Sequence, residues 1–80
     1  GSSGLKVFVE DADAIGPVAS VLQNAADTIK QGGKGPIIFC LMNDQLPGEV
    51  EVQLAMDYPV TPQIKGAIKS LGGVVTVEDV

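Results

Sequence analysis

Histidine, tryptophan and arginine are absent from the 80 residues, and cysteine occurs once, at Cys40. Without histidine, neither a thiol-histidine pair nor an ordinary structural zinc site can be assembled, and one cysteine cannot close an internal disulfide. Without arginine there is no planar fork to clamp a phosphate or carboxylate. Aromatics are scarce, with Phe8, Phe39 and Tyr58 only, so the core must be built from aliphatic side chains and alanine. Positive charge is scarce as well: five lysines stand against ten acidic residues, a net charge of -5. Such a chain repels a phosphate backbone instead of releasing its counterions, which argues against direct nucleic-acid binding. Long apolar runs are missing too. Nothing approaches the roughly 20 residues that cross a bilayer, and no basic segment with an apolar stretch opens the chain, so a cytoplasmic location and no membrane partner are expected.

What is present is a folding sequence of one domain. A chain this short removes only about 60% of its unfolded surface from water, which leaves no room for a second core. Its stability should be roughly 4 to 12 kcal/mol, so each well-buried aliphatic residue is a noticeable share. A hydrophobic content of 45% argues against disorder. The opening Gly1-Ser2-Ser3-Gly4 has the composition of a linker or expression tag, and the domain proper is expected over residues 5 to 80.

Leu5 to Glu10 alternates, with Leu5, Val7 and Val9 on one face, as a half-buried strand does. Ile15, Val18, Ala19, Leu22, Ala25, Ala26 and Ile29 then recur at helical spacing, predicting a helix over about residues 13 to 31. Asp11 or Asp13 can cap it, Pro17 falls near its first turn, and Lys30 before Gly32-Gly33 suits its end. Ile37 to Met42 is an uninterrupted apolar run of strand length, which implies contact on both faces, whereas Glu49 to Leu54 alternates strictly. With the turn-rich segment 43 to 48 between them, the two should form a hairpin. Thr61-Pro62 is a helix start, followed by Ile64, Ala67, Ile68 and Leu71 and closed by Gly72-Gly73. Val74 to Glu78 reads as a last strand. The expected fold is therefore α+β, a two-layer β-α-β-β-α-β sandwich of ferredoxin-like order with two helices on one face of a four-stranded antiparallel sheet. The alternative is a partial doubly wound α/β layout. The expected core comprises Val7, Val9, Val18, Leu22, Ile29, Phe39, Leu41, Val50, Val52, Ile64, Ile68, Leu71 and Val77.

Candidate chemistry is thin. Asp11-Ala12-Asp13 has a spacing that can hold Mg²⁺, but it falls where a strand gives way to a helix, the place where aspartate caps free N–H groups. Gly32-Gly33-Lys34-Gly35 follows a helix and precedes a strand, the reverse of a phosphate loop. Lys65 and Lys69, at i and i+4, read as a solvated helix face. Cys40, inside an apolar run, reads as a small buried hydrophobe. No catalytic, cofactor-binding or metal residue is assigned, no cofactor is expected, and the chain is not expected to be an enzyme.

Three stretches carry a family likeness: Leu46-Pro47-Gly48-Glu49-Val50-Glu51-Val52, Tyr58-Pro59-Val60-Thr61-Pro62-Gln63-Ile64-Lys65-Gly66-Ala67-Ile68-Lys69, and Gly73-Val74-Val75-Thr76-Val77-Glu78. Together they resemble the C-terminal domain of the alpha subunit of bacterial DNA polymerase III. The resemblance implies a fragment of a DNA-directed DNA polymerase that works in DNA replication, with the catalytic carboxylates far upstream. It implies a non-catalytic interaction domain following an OB module, with the tau subunit of the clamp loader, other replisome proteins and the preceding OB domain as partners. The clamp-binding peptide that some members carry is not matched by Val77-Glu78-Asp79-Val80. A second likeness runs through Val7-Phe8-Val9-Glu10-Asp11 and Gly16-Pro17, which are similar to the start of ACT-type regulatory domains. That alternative implies binding of small amino acids between subunits.

Parity supplies the candidate contact residues. If Val7, Phe39 and Leu41 face the helices, then Phe8, Ile38 and Cys40 face the other side of the sheet, flanked by Glu51 and Gln53. Phe8 and Ile38 are the expected partner-binding residues, on the ground that an exposed apolar patch commonly marks a protein contact.

Overall fold

The alternating segment at the start becomes β1 (Leu5–Val9) in a computed structural model that describes residues 4–29, 33–42 and 49–80. A 3-10 turn (Ala12–Ala14) leads into α1 (Ile15–Thr28), and Asp11 caps that turn, its carboxylate accepting from the Asp13 N–H at 2.9 Å. The chain continues through β2 (Lys34–Gly35), β3 (Ile37–Leu41), β4 (Val50–Gln53) and β5 (Tyr58–Pro59) to α2 (Pro62–Lys69) and β6 (Val74–Asp79). At the start of α2 Thr61 accepts from the Ile64 N–H at 3.3 Å while Pro62 occupies the first turn, as the Thr-Pro pair predicts.

The principal sheet has the order β4-β3-β1-β6. β1 and β3 are parallel neighbours, with Val7 opposite Phe39, while β4 and β6 run antiparallel to β3 and β1 on the two outsides. The sheet is thus mixed, not antiparallel as the sequence suggested. The reason lies in composition. β1 and β3 are the most apolar strands and take the two central places, whereas the acid-bearing β4 and β6 take the edges, where charge is tolerated. The expected hairpin between the second and third main strands is present as β3 and β4. A separate two-stranded ribbon of β2 and β5, which the sequence did not suggest, packs on α1 through β5.

The two helices lie against each other, α2 also touches β6, and both contribute to a single core. Val18, Leu22 and Ala25 of α1 and Ile64 and Ile68 of α2 meet Leu5, Val7, Val9, Ile37, Phe39 and Val77 from one side of the sheet. This is the two-layer sandwich, and the doubly wound alternative is set aside. Ile29, Leu41 and Leu71 pack on the core only half-buried. Val50 and Val52 do not belong to it: they are 44% and 50% exposed, because β4 is an edge strand whose helix-side face the two helices leave open. Leu5, Ile37, Ala14, Ala25 and Pro59 are buried in addition to the expected set.

Helix α1 is shorter at both ends than the periodicity implied. Its first turn is 3-10, and Ile29 is already extended (φ -93, ψ 109), so helix ends at Thr28. Lys30, Gln31, Gly32 and residues 43 to 48, where a turn was expected, lie outside the described residues. Gly4 is buried, exchanges hydrogen bonds with Val80 at 3.2 and 3.1 Å, and runs so close to Pro36 that an added Cβ would stand 2.7 Å from its carbonyl oxygen.

Gly73 is held at φ 86, and a Cβ there would come within 2.9 Å of the Ala14 Cβ. Gly73→Ala should therefore destabilise the fold by about 1–3 kcal/mol in urea denaturation. Gly66, inside α2 with open space around it, is the opposite case, and Gly66→Ala should stabilise by up to about 1 kcal/mol. Equal effects of the two substitutions would contradict the geometry at the end of α2.

Candidate functional site

Because both helices occupy one side of the principal sheet, its other side carries the remaining side chains of each strand. The register sets them in two rows, Glu78, Lys6, Ile38 and Gln53 in one, and Thr76, Phe8, Cys40 and Glu51 in the next. Charged and polar residues take the outer columns, on β4 and β6, and the centre is apolar apart from Lys6. Phe8 and Ile38 are half-buried there, as diagonal neighbours on paired strands. The parity expected from the sequence thus holds. Cys40 is completely buried, as its apolar run implied, although it points to the side of the sheet away from the helices.

Its cover comes from side chains on the same face. Lys6 Nζ lies 2.7 Å from Glu51 Oε2, so the ion pair reaches from β1 to β4 across the intervening β3. The same ammonium stands 5.1 Å from the centre of the Phe8 ring, where the ring's negative face attracts it. A lysine stem laid along apolar surface with its head group in water is a common way to cover such a face. The pair with Glu51, chiefly its hydrogen bond, holds the Lys6 ammonium above its ordinary pKa.

Cys40, Glu49 and Glu51 offer one thiol and two carboxylates within 4.8 Å of one another. Sequence reasoning missed this group, since the carboxylates reach Cys40 only through the hairpin register; the sole signal was the alternation of Glu49 and Glu51 opposite an apolar strand. Its chemistry is muted. Burial, and then a hydrogen bond to Glu49, push the Cys40 thiol above its usual range, which keeps it protonated and a poor nucleophile. The neighbouring Lys6 ammonium already supplies Glu51 with a counter-charge.

The other sequence candidates are dispersed. Asp11 is engaged in capping, and Asp13 sits in the turn it caps. Lys65 pairs with Asp79 of β6 at 3.3 Å, an exposed contact worth little by itself. Lys34 and Gly35 form a strand and not a phosphate-holding turn at a helix start. Among the described residues no polar or charged residue is buried. Comparison of the chain with family models, curated proteins and solved structures gives no match.

The raised thiol pKa has a measurable sign. An acid whose folded pKa is raised favours the folded state while it stays protonated, so that contribution is complete below the ordinary thiol value of 9.0 and is lost as pH climbs from there through the raised folded value. Stability in urea should fall as pH rises above about 9, and Cys40→Ala should reduce that fall. An unchanged pH slope in the variant would mean that Cys40 is not the group responsible.

Proposed function

We propose that this chain is a non-catalytic protein-interaction domain, of the kind that ends the alpha subunit of a bacterial replicative polymerase, and that it docks onto the tau subunit of the clamp loader. The observation that carries the reading is the sheet face away from the helices. Phe8 and Ile38 lie at its centre, only half-buried, inside a polar rim of Glu51, Gln53, Thr76 and Glu78. An apolar centre with a polar rim is the usual anatomy of a protein contact. The sequence likeness supplies the identity of the partner, and the preceding OB domain of the same chain is a second candidate for that face.

The remaining features suit a binding module better than an enzyme. The one thiol is buried and held protonated, and the carboxylates of Asp11 and Glu51 are taken up by a cap and an ion pair. A net charge of -5 favours a protein partner over the template strand. The amino-acid-binding alternative has no observation of its own in favour.

Pull-down against the tau subunit tests the reading directly. The domain should be retained, and a Phe8→Ser, Ile38→Ser double variant that still folds should lose most of that retention. Full retention by the folded double variant would remove this face, and absence of retention by the unaltered domain would remove tau as partner. Free amino acids added to the same protein should leave its melting temperature unchanged; a rise would favour the regulatory-domain alternative.

A further inference from the structure

The second surface is an edge. β4 ends the principal sheet, and its residues point alternately to the two faces. Val50 and Val52 project on the helix side, where they are 44% and 50% exposed, and Glu51 and Gln53 project on the other side. Its backbone is equally divided. Leu54 donates to the Ile37 carbonyl at 2.9 Å, and hydrogen-bonded pairs alternate along an antiparallel ladder, so Val52 and Val50 bond inward to Phe39 and Leu41. The N–H and C=O groups of Glu51 and Gln53 therefore point off the sheet.

Edges of this kind are normally blunted by a proline, a bulge or a lysine. β6, the opposite edge, has a bulge in its pairing with β1, and its Asp79 is tied to Lys65 of α2. Among the described residues β4 has no proline, bulge or lysine; it is a four-residue strand protected only by Glu51, and two exposed valines lie along it. A second copy of the chain is a poor occupant. A second β4 offers no basic side chain to Glu49 or Glu51, and the registers that set Glu51 opposite Glu51 or Glu49 of the copy bring like charges face to face, which destabilises a strand pair.

We infer that the free edge of β4 accepts a strand from a partner protein whose residues alternate between basic and apolar, the basic ones beside Glu49 and Glu51 and the apolar ones beside Val50 and Val52. Main-chain hydrogen bonds to Glu51 and Gln53 supply the attachment, and the alternation supplies the register. The inference rests on the interaction-module reading and deepens it by giving the partner's contacting segment a conformation and a chemistry.

The probe is a synthetic peptide, acetyl-Lys-Val-Lys-Val-Lys-Val-amide, titrated into the ¹⁵N-labelled domain, with the corresponding Glu-Val peptide as control. The lysine peptide should shift the Glu51 and Gln53 amides and slow their hydrogen exchange, and the control should not. Gln53→Pro removes one outward N–H while leaving the inward bonds of Val52 and Leu54 intact, and should weaken peptide binding by about tenfold. Shifts confined to Phe8, Ile38 and their neighbours, no shifts at all, or equal binding of the Glu-Val peptide would overturn the inference. Tau pull-down separates this from the broader reading. Undiminished tau binding by Gln53→Pro, with no response to the peptide, removes the edge and leaves the docking module. A peptide response at β4 without tau binding removes tau and leaves the edge.

Discussion

The side-by-side parallel pairing of β1 with β3 is the constraint on which the rest of the structure depends. It places the two most apolar strands at the centre of the sheet and sets one parity for both, so that Leu5, Val7, Val9, Ile37 and Phe39 all face the helices. A one-residue slip would turn Lys6 and Phe8 into the core and valines into water. Edge positions follow as a consequence. β4 and β6, each carrying acidic side chains, have only the outsides left to occupy, and α2, which returns the chain from β4 to β6, packs beside α1 on the same face. Both helices thus lie on one face, and among the described residues the other face of the sheet carries no helix.

That open face is managed by charge and not by further secondary structure. Lys6 spans from β1 to Glu51 on β4 and, with Glu49 and Glu51, leaves Cys40 without solvent contact. Here the apolar run of β3 obtains its second covered side, for which the sequence suggested either a partner or a second helical layer. A cover of exposed side chains is easily displaced, because an ion pair in water gives little back for the ordering of two long side chains. A face closed in this way stays open to competition from another protein's side chains.

Much of the fold was legible in the sequence because it rested on local periodicity. The alternation in β1, the i, i+3, i+4 spacing of Ile64, Ala67 and Ile68, and the Thr61-Pro62 start depend on neighbours along the chain. What could not be read depended on neighbours across it. Whether β3 pairs beside β1 or one strand away leaves the pattern of either strand unchanged, so the mixed sheet was invisible. The strict alternation of Glu49 to Leu54 pointed to one covered face, yet Val50 and Val52 are uncovered, because alternation states which residues share a side and not whether anything lies over it. Burial of Cys40 was expected from its apolar surroundings, but its place beneath Lys6 and Glu51 required the register of three strands. The outer-face positions of Phe8 and Ile38 were legible from parity alone.

The open face and the free edge are parts of one surface. Glu51 and Gln53 bring their side chains to the face that holds Phe8 and Ile38, and their backbone groups to the edge. A strand added beside β4 would widen that face by one column, and its basic side chains would lie next to Glu51, the residue that now holds Lys6. An incoming cation then competes with Lys6 for one carboxylate. Release of Lys6 from Glu51 would also move the ammonium that stands over the Phe8 ring, so an edge contact and a face contact would be coupled through one carboxylate.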